Sequence, residues 1–356
     1  MEDMKNLYAF IMAGGSGERF WPMSRRRKPK HLLRLLDDRT LLETTVARLA
    51  GVVPLEQTFI LTNEDQFEAT CAAAPSIPLS HVIAEPAKRD TAPACALATA
   101  IARSRNPDAI CAVLPADAMI HNVEKFRAQF LDAADAAGSG GAIVTIGIPP
   151  TGPATGFGYL ETGEPLDPGQ RGSEVLKLQR FVEKPDLEKA KAYFENGSYY
   201  WNAGIFLWRA STFLDEARRQ KPELAKFIEE LTASTPLKPY LAEHFVHLPK
   251  ISVDYAIMEH ATHLLAVLAE FDWDDVGAWT AIPSHIGSDA HGNSTRGDVV
   301  QHASSGNIAV SNGRTIALCG VNDLVVVETD DAILVCHKDA VQHVKNLQTH
   351  LPDSLK

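Results

Sequence analysis

Short, nearly unbroken apolar runs alternate along the first two-thirds of the chain with stretches whose apolar residues recur every three or four positions. Leu7 to Met12, Thr58 to Leu61 and Ala109 to Leu114 are β-type runs, and Thr40 to Val52 and Thr91 to Arg103 are helical patterns between them. Such alternation predicts an α/β domain with a parallel sheet covered by helices. Thr40 and Glu43 have capping-box spacing, and Leu42, Val46 and Leu49 fall on one face of the helix that follows. Thr91 is suited to an N-cap and Pro93 to a first helical turn. The segment Gly147 to Pro168, rich in Gly, Pro and Thr, predicts an irregular excursion or hairpin beside the sheet.

The texture changes after about Gly287. Val299 to Gln301, Asn307 to Val310, Thr315 to Leu318, Leu324 to Val327 and Ile333 to Cys336 are short β-type runs between polar turns, followed by a helical pattern from Lys338 to Leu347. This predicts two units: residues 1–287, and a small β module, a β-helix-like fragment, over residues 288–356.

A chain of 356 residues that is 45% hydrophobic can bury a sizeable core, so disorder is excluded. The net charge of -11 gives no general attraction for nucleic acid or an anionic membrane, and a polyanion must be met by a local basic patch. No apolar stretch approaches membrane-spanning length, and the acidic amino end (Glu2, Asp3) does not resemble a signal peptide, so the mature protein is expected to begin at or near Met1. The cysteines (Cys71, Cys95, Cys111, Cys319 and Cys336) are odd in number and scattered, without a CxxC pair. They predict a reducing, cytoplasmic location and neither a disulfide framework nor a zinc site.

The first strand runs directly into Ala13, Gly14, Gly15, Ser16, Gly17, Glu18 and Arg19. Ligands of open α/β sheets bind at the carboxyl ends of strands, and glycines there let peptide N–H groups approach phosphate oxygens. Glu18 and Arg19 exclude both the P-loop and the GxGxxG dinucleotide patterns. Instead Arg19, Arg25, Arg26, Arg27, Lys28, Lys30 and Arg34 follow with no acidic residue between Arg19 and Arg34. A basic run alone is ordinarily a solvated face or a localisation tract, but the strand and glycines before it favour a triphosphate site, with Arg19 and Lys30 as electrostatic stabilisers.

GGSGERFWPMSRRRKPK resembles the GGxGxRxxPxxxxxPK signature of sugar-phosphate nucleotidyltransferases. AEPAKRDTAPA (Ala84 to Ala94), LPAD (Leu114 to Asp117), GFGYLE (Gly156 to Glu161), FVEKP (Phe181 to Pro185), WNAGIFLW (Trp201 to Trp208), SVDYAIME (Ser252 to Glu259) and FDWDDVGAW (Phe271 to Trp279) follow in order. Together they are similar to the bacterial mannose-1-phosphate guanylyltransferases, over nearly the whole chain. The resemblance implies a Rossmann-like mixed, mostly parallel sheet with helices on both faces. It also implies transfer of GMP from GTP to mannose 1-phosphate.

By this resemblance Asp117 and Asp275 hold Mg²⁺, and the Ala13 to Gly17 loop with Glu85, Pro86, Arg89 and Thr91 binds the nucleotide. Gly158, Tyr159, Glu183, Lys184 and Asn202 bind the sugar phosphate, with Lys184 on its phosphate. Each block also has an ordinary reading. An Asp after a strand is commonly a cap or turn former, Asn202 can be a turn former before Gly204, and Glu183 and Lys184, pointing to opposite faces of a strand end, can be plain surface charge.

Glu85 suits the paired N1–H and N2–H₂ donors of guanine, which adenine lacks. Where relatives have His after the LPAD aspartate this chain has Ala118, with His121 three residues on, and Asp274 adds a carboxylate that could alter or join the metal site. Longer relatives carry an isomerase domain for which this chain ends too early, so a single activity is expected. The β module is a candidate homodimer surface. A nucleotidyltransferase for another base or sugar, or a non-catalytic nucleotide-sugar sensor, would share these features. A nucleic-acid binder conflicts with the acidic whole and the lack of aromatics interleaved with the basic run.

Overall fold

The run Leu7–Met12 forms strand β1, and its unbroken hydrophobicity follows from burial on both faces. Tyr8 and Phe10 enter one apolar core, while Leu7, Ala9 and Ile11 enter the other. The computed structural model describes residues 3–233 and 236–356. Met1 and the acidic Glu2 lie outside the described residues. Strands β2 (Thr58–Asn63), β3 (Val82–Glu85) and β4 (Ile110–Pro115) run parallel to β1 in the order β3-β2-β1-β4.

The sheet continues through β5 (Ile143–Ile148), β6 (Tyr159–Pro165), β7 (Val175–Val182), β8 (Tyr199–Arg209) and β9 (Leu264–Leu268), in the full order β3-β2-β1-β4-β8-β5-β9-β7-β6. The expected mixed sheet is present, but its parallel order is concentrated in the first half; β8 runs antiparallel to both β4 and β5, and β7 antiparallel to β9. The predicted excursion from Gly147 to Pro168 holds β6, which forms an antiparallel hairpin with β7 beyond it and also pairs with β8, closing that end of the sheet on itself. Helices cover both faces, including Thr91–Arg105 in one core and Leu41–Leu49 and Val123–Gly140 in the other. The capping box at Thr40 is complete, since Thr40 Oγ1 accepts from Glu43 N and a Glu43 carboxylate oxygen accepts from Thr40 N.

Beyond the sheet, β10 (Ser294–Arg296), β12 (Ile308–Val310) and β14 (Leu324–Glu328) stack in parallel, as do β11 (Val299–His302) and β13 (Ile316–Cys319). This is the coil-on-coil order of a β-helix fragment, and β15 (Ile333–His337) closes it antiparallel to β14. Strand β10 is absent from the sequence expectation because its three residues, Ser294, Thr295 and Arg296, carry no apolar pattern.

Inside the stack the buried side-chain amides of Asn293 and Asn307 hydrogen-bond to each other and to the backbone of neighbouring coils. Asn307 Nδ2 donates to Asn293 Oδ1 at 3.0 Å, and Asn307 Oδ1 accepts from Leu324 N at 2.9 Å. The closing segment Lys338–Thr349 is a 3-10 helix. Its Val341 and Val344 join Phe20, Trp21, Val276 and Trp279 in one apolar cluster with Ile308, Val325 and Leu334. The β module is therefore packed against the loops at the carboxyl end of β1.

Candidate active site

Three segments that are distant in sequence converge where β1 and β4 end. β1 is followed by the glycine loop, whose backbone is strapped to the neighbouring strand end: Ala13 N donates to Leu61 O at 2.7 Å, and Thr62 Oγ1 donates to Ala13 O at 3.0 Å. Asn63 Nδ2 reaches Gly14 O at 3.5 Å and Gln66 Nε2 reaches Gly15 O at 3.4 Å. A trans peptide carries its N–H opposite its C=O, so tying down these two carbonyls turns the N–H groups of Gly15 and Ser16 the other way. Ala13 itself is buried and structural, while Gly14 and Gly15 are exposed. Gly17 has φ +62°, and a Cβ there would sit 2.7 Å from Lys30 N, so the loop needs glycine at this point both for its dihedral and for close packing on Lys30.

Lys30 is the hub of the site. Its buried ammonium lies 2.9 Å from Asp117 Oδ2 and also donates to the backbone carbonyl of Asp275. Asp117, Asp275, Lys30, Arg19, Ser16 and Gly17 line one cavity of about 360 Å³. Burial raises the Asp275 carboxyl above its ordinary value, against the lowering effect of Lys30. Arg19 contributes a buried Nε without a hydrogen-bond partner among the described residues. Of the remaining basic run, Arg26, Arg27 and Lys28 are exposed, and Arg26 pairs with Asp65 at 2.9 Å.

Asp274 is engaged elsewhere. Its Oδ2 lies 2.9 Å from His285 Nε2, whose other ring nitrogen lies 3.1 Å from His121 Nε2, and its Oδ1 accepts from Val276 N. Burial acts to raise this carboxyl, but the bonds from His285 and Val276 outweigh it and hold it low. The residue braces the Asp275 loop, where Val276 takes φ 47°.

A second cavity, of about 540 Å³, adjoins the first across Ser16 and Glu18 and is lined by Asn63, Gln66, Glu85, Pro86 and Lys88. Desolvation pushes the Glu85 carboxyl up to about 8. Two residues expected here are placed differently. The Arg89 guanidinium donates to Val246 O, and Thr91 Oγ1 accepts from Val253 N at 2.8 Å. Neither lines the cavity; both fasten the start of the helix to the segment before Asp254. The cap of that helix is Asp90, whose Oδ1 accepts from Thr91 N, rather than Thr91.

The third group gathers at the ends of β7 and β8. Glu183 and Lys184 do not diverge to opposite faces. Lys184, at φ 43°, folds back so that its ammonium meets Glu183 Oε1. Desolvation opposes the Lys184 charge, and the Glu183 carboxylate more than offsets it, raising the pKa. Asn202 sits within β8 with its Oδ1 accepting from Thr145 Oγ1 and Gly204 N, and its Nδ2 faces Asp254 Oδ1 at 3.4 Å. Gly158 leaves room for this carboxylate, since a Cβ there would lie 2.7 Å from Glu183 Oε2. The Tyr159 ring is fully buried and its hydroxyl donates to Ala154 O, so only its backbone can face a ligand.

Asp254 is a residue that sequence reasoning did not single out, although it lies in the quoted SVDYAIME block. Burial, and next the Glu183 carboxylate, push it up to about 7. Glu259, in the same block, accepts from Glu183 N at 3.0 Å. No spacing rule marks either one, since their role comes from contact with β7 and β8.

Among the described residues no cluster of three His, Cys, Asp or Glu side chains could hold a metal. Asp117 and Asp275 supply hard oxygen donors around a buried cation, Lys30. Two carboxylates suit an ion that takes its other ligands from phosphate and water.

Comparison with known proteins identifies the family to which both units of the chain are similar. Residues 8–289 match the nucleotidyl transferase family, and residues 297–351 match the MannoseP isomerase/GMP-like beta-helix domain. A mannose-1-phosphate guanylyltransferase of Escherichia coli (strain K12) is 38% identical over 349 residues, covering 96% of this chain and 72% of the relative. The mannose-1-phosphate guanylyltransferase ManC of Salmonella typhimurium (strain LT2) is 37% identical over 351 residues, with 96% and 72% covered. A crystal structure from Thermus thermophilus, described as a mannose-1-phosphate geranyltransferase, superposes with a TM-score of 0.88 at 35% identity, covering 97% of this chain and 99% of that one. The chain belongs to the nucleotidyl transferase family and, within it, to the mannose-1-phosphate guanylyltransferases.

Proposed function

We propose that the chain transfers GMP from GTP to mannose 1-phosphate, giving GDP-mannose and pyrophosphate. The observation that carries this reading is the convergence of Asp117, Asp275, Lys30 and Arg19 in one cavity beside the glycine loop. A phosphate oxygen of mannose 1-phosphate attacks the α-phosphorus of GTP, and pyrophosphate leaves in line. That oxygen is already anionic, so the reaction needs no general base, and catalysis reduces to positioning and charge neutralisation.

The N–H groups of Gly15 and Ser16, with Arg19 and Lys30, hold the triphosphate. Mg²⁺, held by Asp117 and Asp275, would neutralise charge on the phosphates. Lys184 pairs with the phosphate of the sugar 1-phosphate. Glu183 and Asn202 accept and donate to sugar hydroxyls beside the Gly158 peptide. Glu85 and Pro86 take the base in the larger cavity, where an ionised Glu85 accepts from guanine N1–H and N2–H₂. These roles extend to a division at residues 287 and 288, supported by where the two family matches fall. They also extend to a cytoplasmic setting, supported by five free cysteines. A second copy of the chain is the proposed partner of β15, whose Ile333 and Val335 are exposed, and light scattering would report a monomer if that is wrong.

The test is pyrophosphate release from GTP, mannose 1-phosphate and Mg²⁺, run beside ATP, UTP, CTP, glucose 1-phosphate, EDTA and Asp117→Ala. Release confined to GTP with the mannose phosphate, and lost with EDTA or Asp117→Ala, is the expected result. Turnover with another base or sugar instead overturns the specificity, and binding without turnover overturns the reaction.

A further inference from the structure

The smaller cavity has a wall that does not come from the α/β domain. Lys345, on the 3-10 helix of the β module, lines it together with Arg19, Lys30, Asp117 and Asp275. Gln348, three residues on, lines the larger cavity with Glu85. In a 3-10 helix residues three apart eclipse one another, so Lys345 and Gln348 form a single ridge along both cavities. The neighbouring ridge carries Val341 and Val344 into the cluster that holds Phe20 and Trp279. The helix is thus seated directly on the turn that bears Arg19.

Beyond the helix, the chain is tied to the same segment. Trp21 Nε1 donates to Leu355 O at 2.9 Å, and Arg26 N donates to Lys356 O at 3.3 Å. Lys345 is therefore presented by a fixed support, although its own side chain is exposed.

Charge indicates its use. The cavity is lined by three acids, Glu18, Asp117 and Asp275, and three bases, Arg19, Lys30 and Lys345. Lys30 is committed to Asp117 and the Asp275 carbonyl. No salt bridge engages Arg19 or Lys345 among the described residues. A triphosphate brings several negative charges into this space, and of the three bases that meet them the two without an ion pair among the described residues stand on opposite units of the fold.

We infer that Lys345 contacts the β- and γ-phosphates of the bound nucleotide, so that the β module completes the triphosphate site of the α/β domain. This inference rests on the reaction proposed above. It makes the module part of the phosphate chemistry rather than an appendage, and it gives the departing pyrophosphate a cation on each side.

The experiment is isothermal calorimetry of the full chain with GTP and with GMP in Mg²⁺ buffer, for the wild type, Lys345→Ala and Lys345→Arg, with KM for both substrates measured in parallel. Loss of one charge-assisted phosphate contact is expected to weaken GTP binding by about tenfold in Lys345→Ala. GMP binding, KM for mannose 1-phosphate and Tm should hold at wild-type values, and Lys345→Arg should recover most of the GTP affinity. Equal losses for GTP and GMP, or GTP affinity within twofold of the wild type in Lys345→Ala, overturn the inference while leaving the reaction standing. A wild-type chain that binds neither nucleotide overturns the underlying reading instead.

Discussion

The raised pKa of Glu85 makes GTP affinity depend on pH in a way that can be worked out in advance. In the ligand-free protein desolvation at the end of β3 disfavours the charge of this carboxyl and pushes its pKa up to about 8. In the proposed complex guanine offers two N–H donors to this position, and only the ionised carboxylate accepts both without placing a proton in the way. Binding therefore requires the proton to leave, and the apparent dissociation constant scales as one plus the ratio of proton concentration to the Glu85 acid constant. From pH 9 to pH 6 that factor is about 100, and from pH 9 to pH 7 about 10.

Glu85→Gln keeps the shape and removes the titration. Its affinity at pH 9 should be lower than that of the wild type by about 2–3 kcal/mol, the scale of hydrogen bonds to a charged acceptor. Its pH dependence should retain only what the ligand itself contributes. Titration calorimetry at pH 6, 7, 8 and 9, in two buffers of different ionisation enthalpy, gives both the affinity and the number of protons released. The same shift carries a stability sign: a carboxyl raised in the fold favours the native state at low pH, and that contribution is lost as pH climbs from about 4.5 to about 8. Parallel pH profiles for the wild type and Glu85→Gln, with no proton released on binding at pH 7, would refute the reasoning.

Other substitutions test separate parts of the structure. Gly158→Ala places a Cβ 2.7 Å from Glu183 Oε2 and should raise KM for mannose 1-phosphate several-fold, with KM for GTP unchanged, in steady-state kinetics. Gly17→Ala meets both an unfavourable φ of +62° and the Lys30 backbone, so it should cost about 1–3 kcal/mol in a denaturant titration and remove turnover. Asn307→Ala leaves Leu324 N and Val321 O without their side-chain partner inside the β module. A loss of about 2–4 kcal/mol is expected from such buried groups, seen as a lower Tm.

The first half of the fold was legible because its rules are local. A run such as Leu7 to Met12 has one explanation, burial on both faces, and a helix opened by the Thr40 and Glu43 capping box announces its own start. The direction of β8 was not legible. Its residues Trp201 to Trp208 show that the strand is buried, but whether it runs with or against β4 is decided by pairings such as Ala112 with Leu207, made between distant segments. The same holds for β10, whose place comes from register with Ile308 to Val310 and not from its own residues.

For the site, the division follows the kind of residue. Gly17, Asp117 and Asp275 stand in blocks whose composition is unusual enough to be matched to a family, and the structure brings all three around Lys30. Arg89 and Thr91 stand in an equally specific block, yet their side chains serve the backbone of Val246 and Val253; a motif marks that a segment matters without saying which of its side chains meet the ligand. Lys345 is the opposite case. One lysine on an exposed helix ridge is indistinguishable in sequence from solvated charge, and it acquires a reason only when Val341 and Val344 dock beside Phe20 and Trp279. The information lies in an apolar contact between the two ends of the chain. A charge scan along the sequence is therefore bound to pass over Lys345 while marking Arg26, Arg27 and Lys28, which the fold leaves exposed to water.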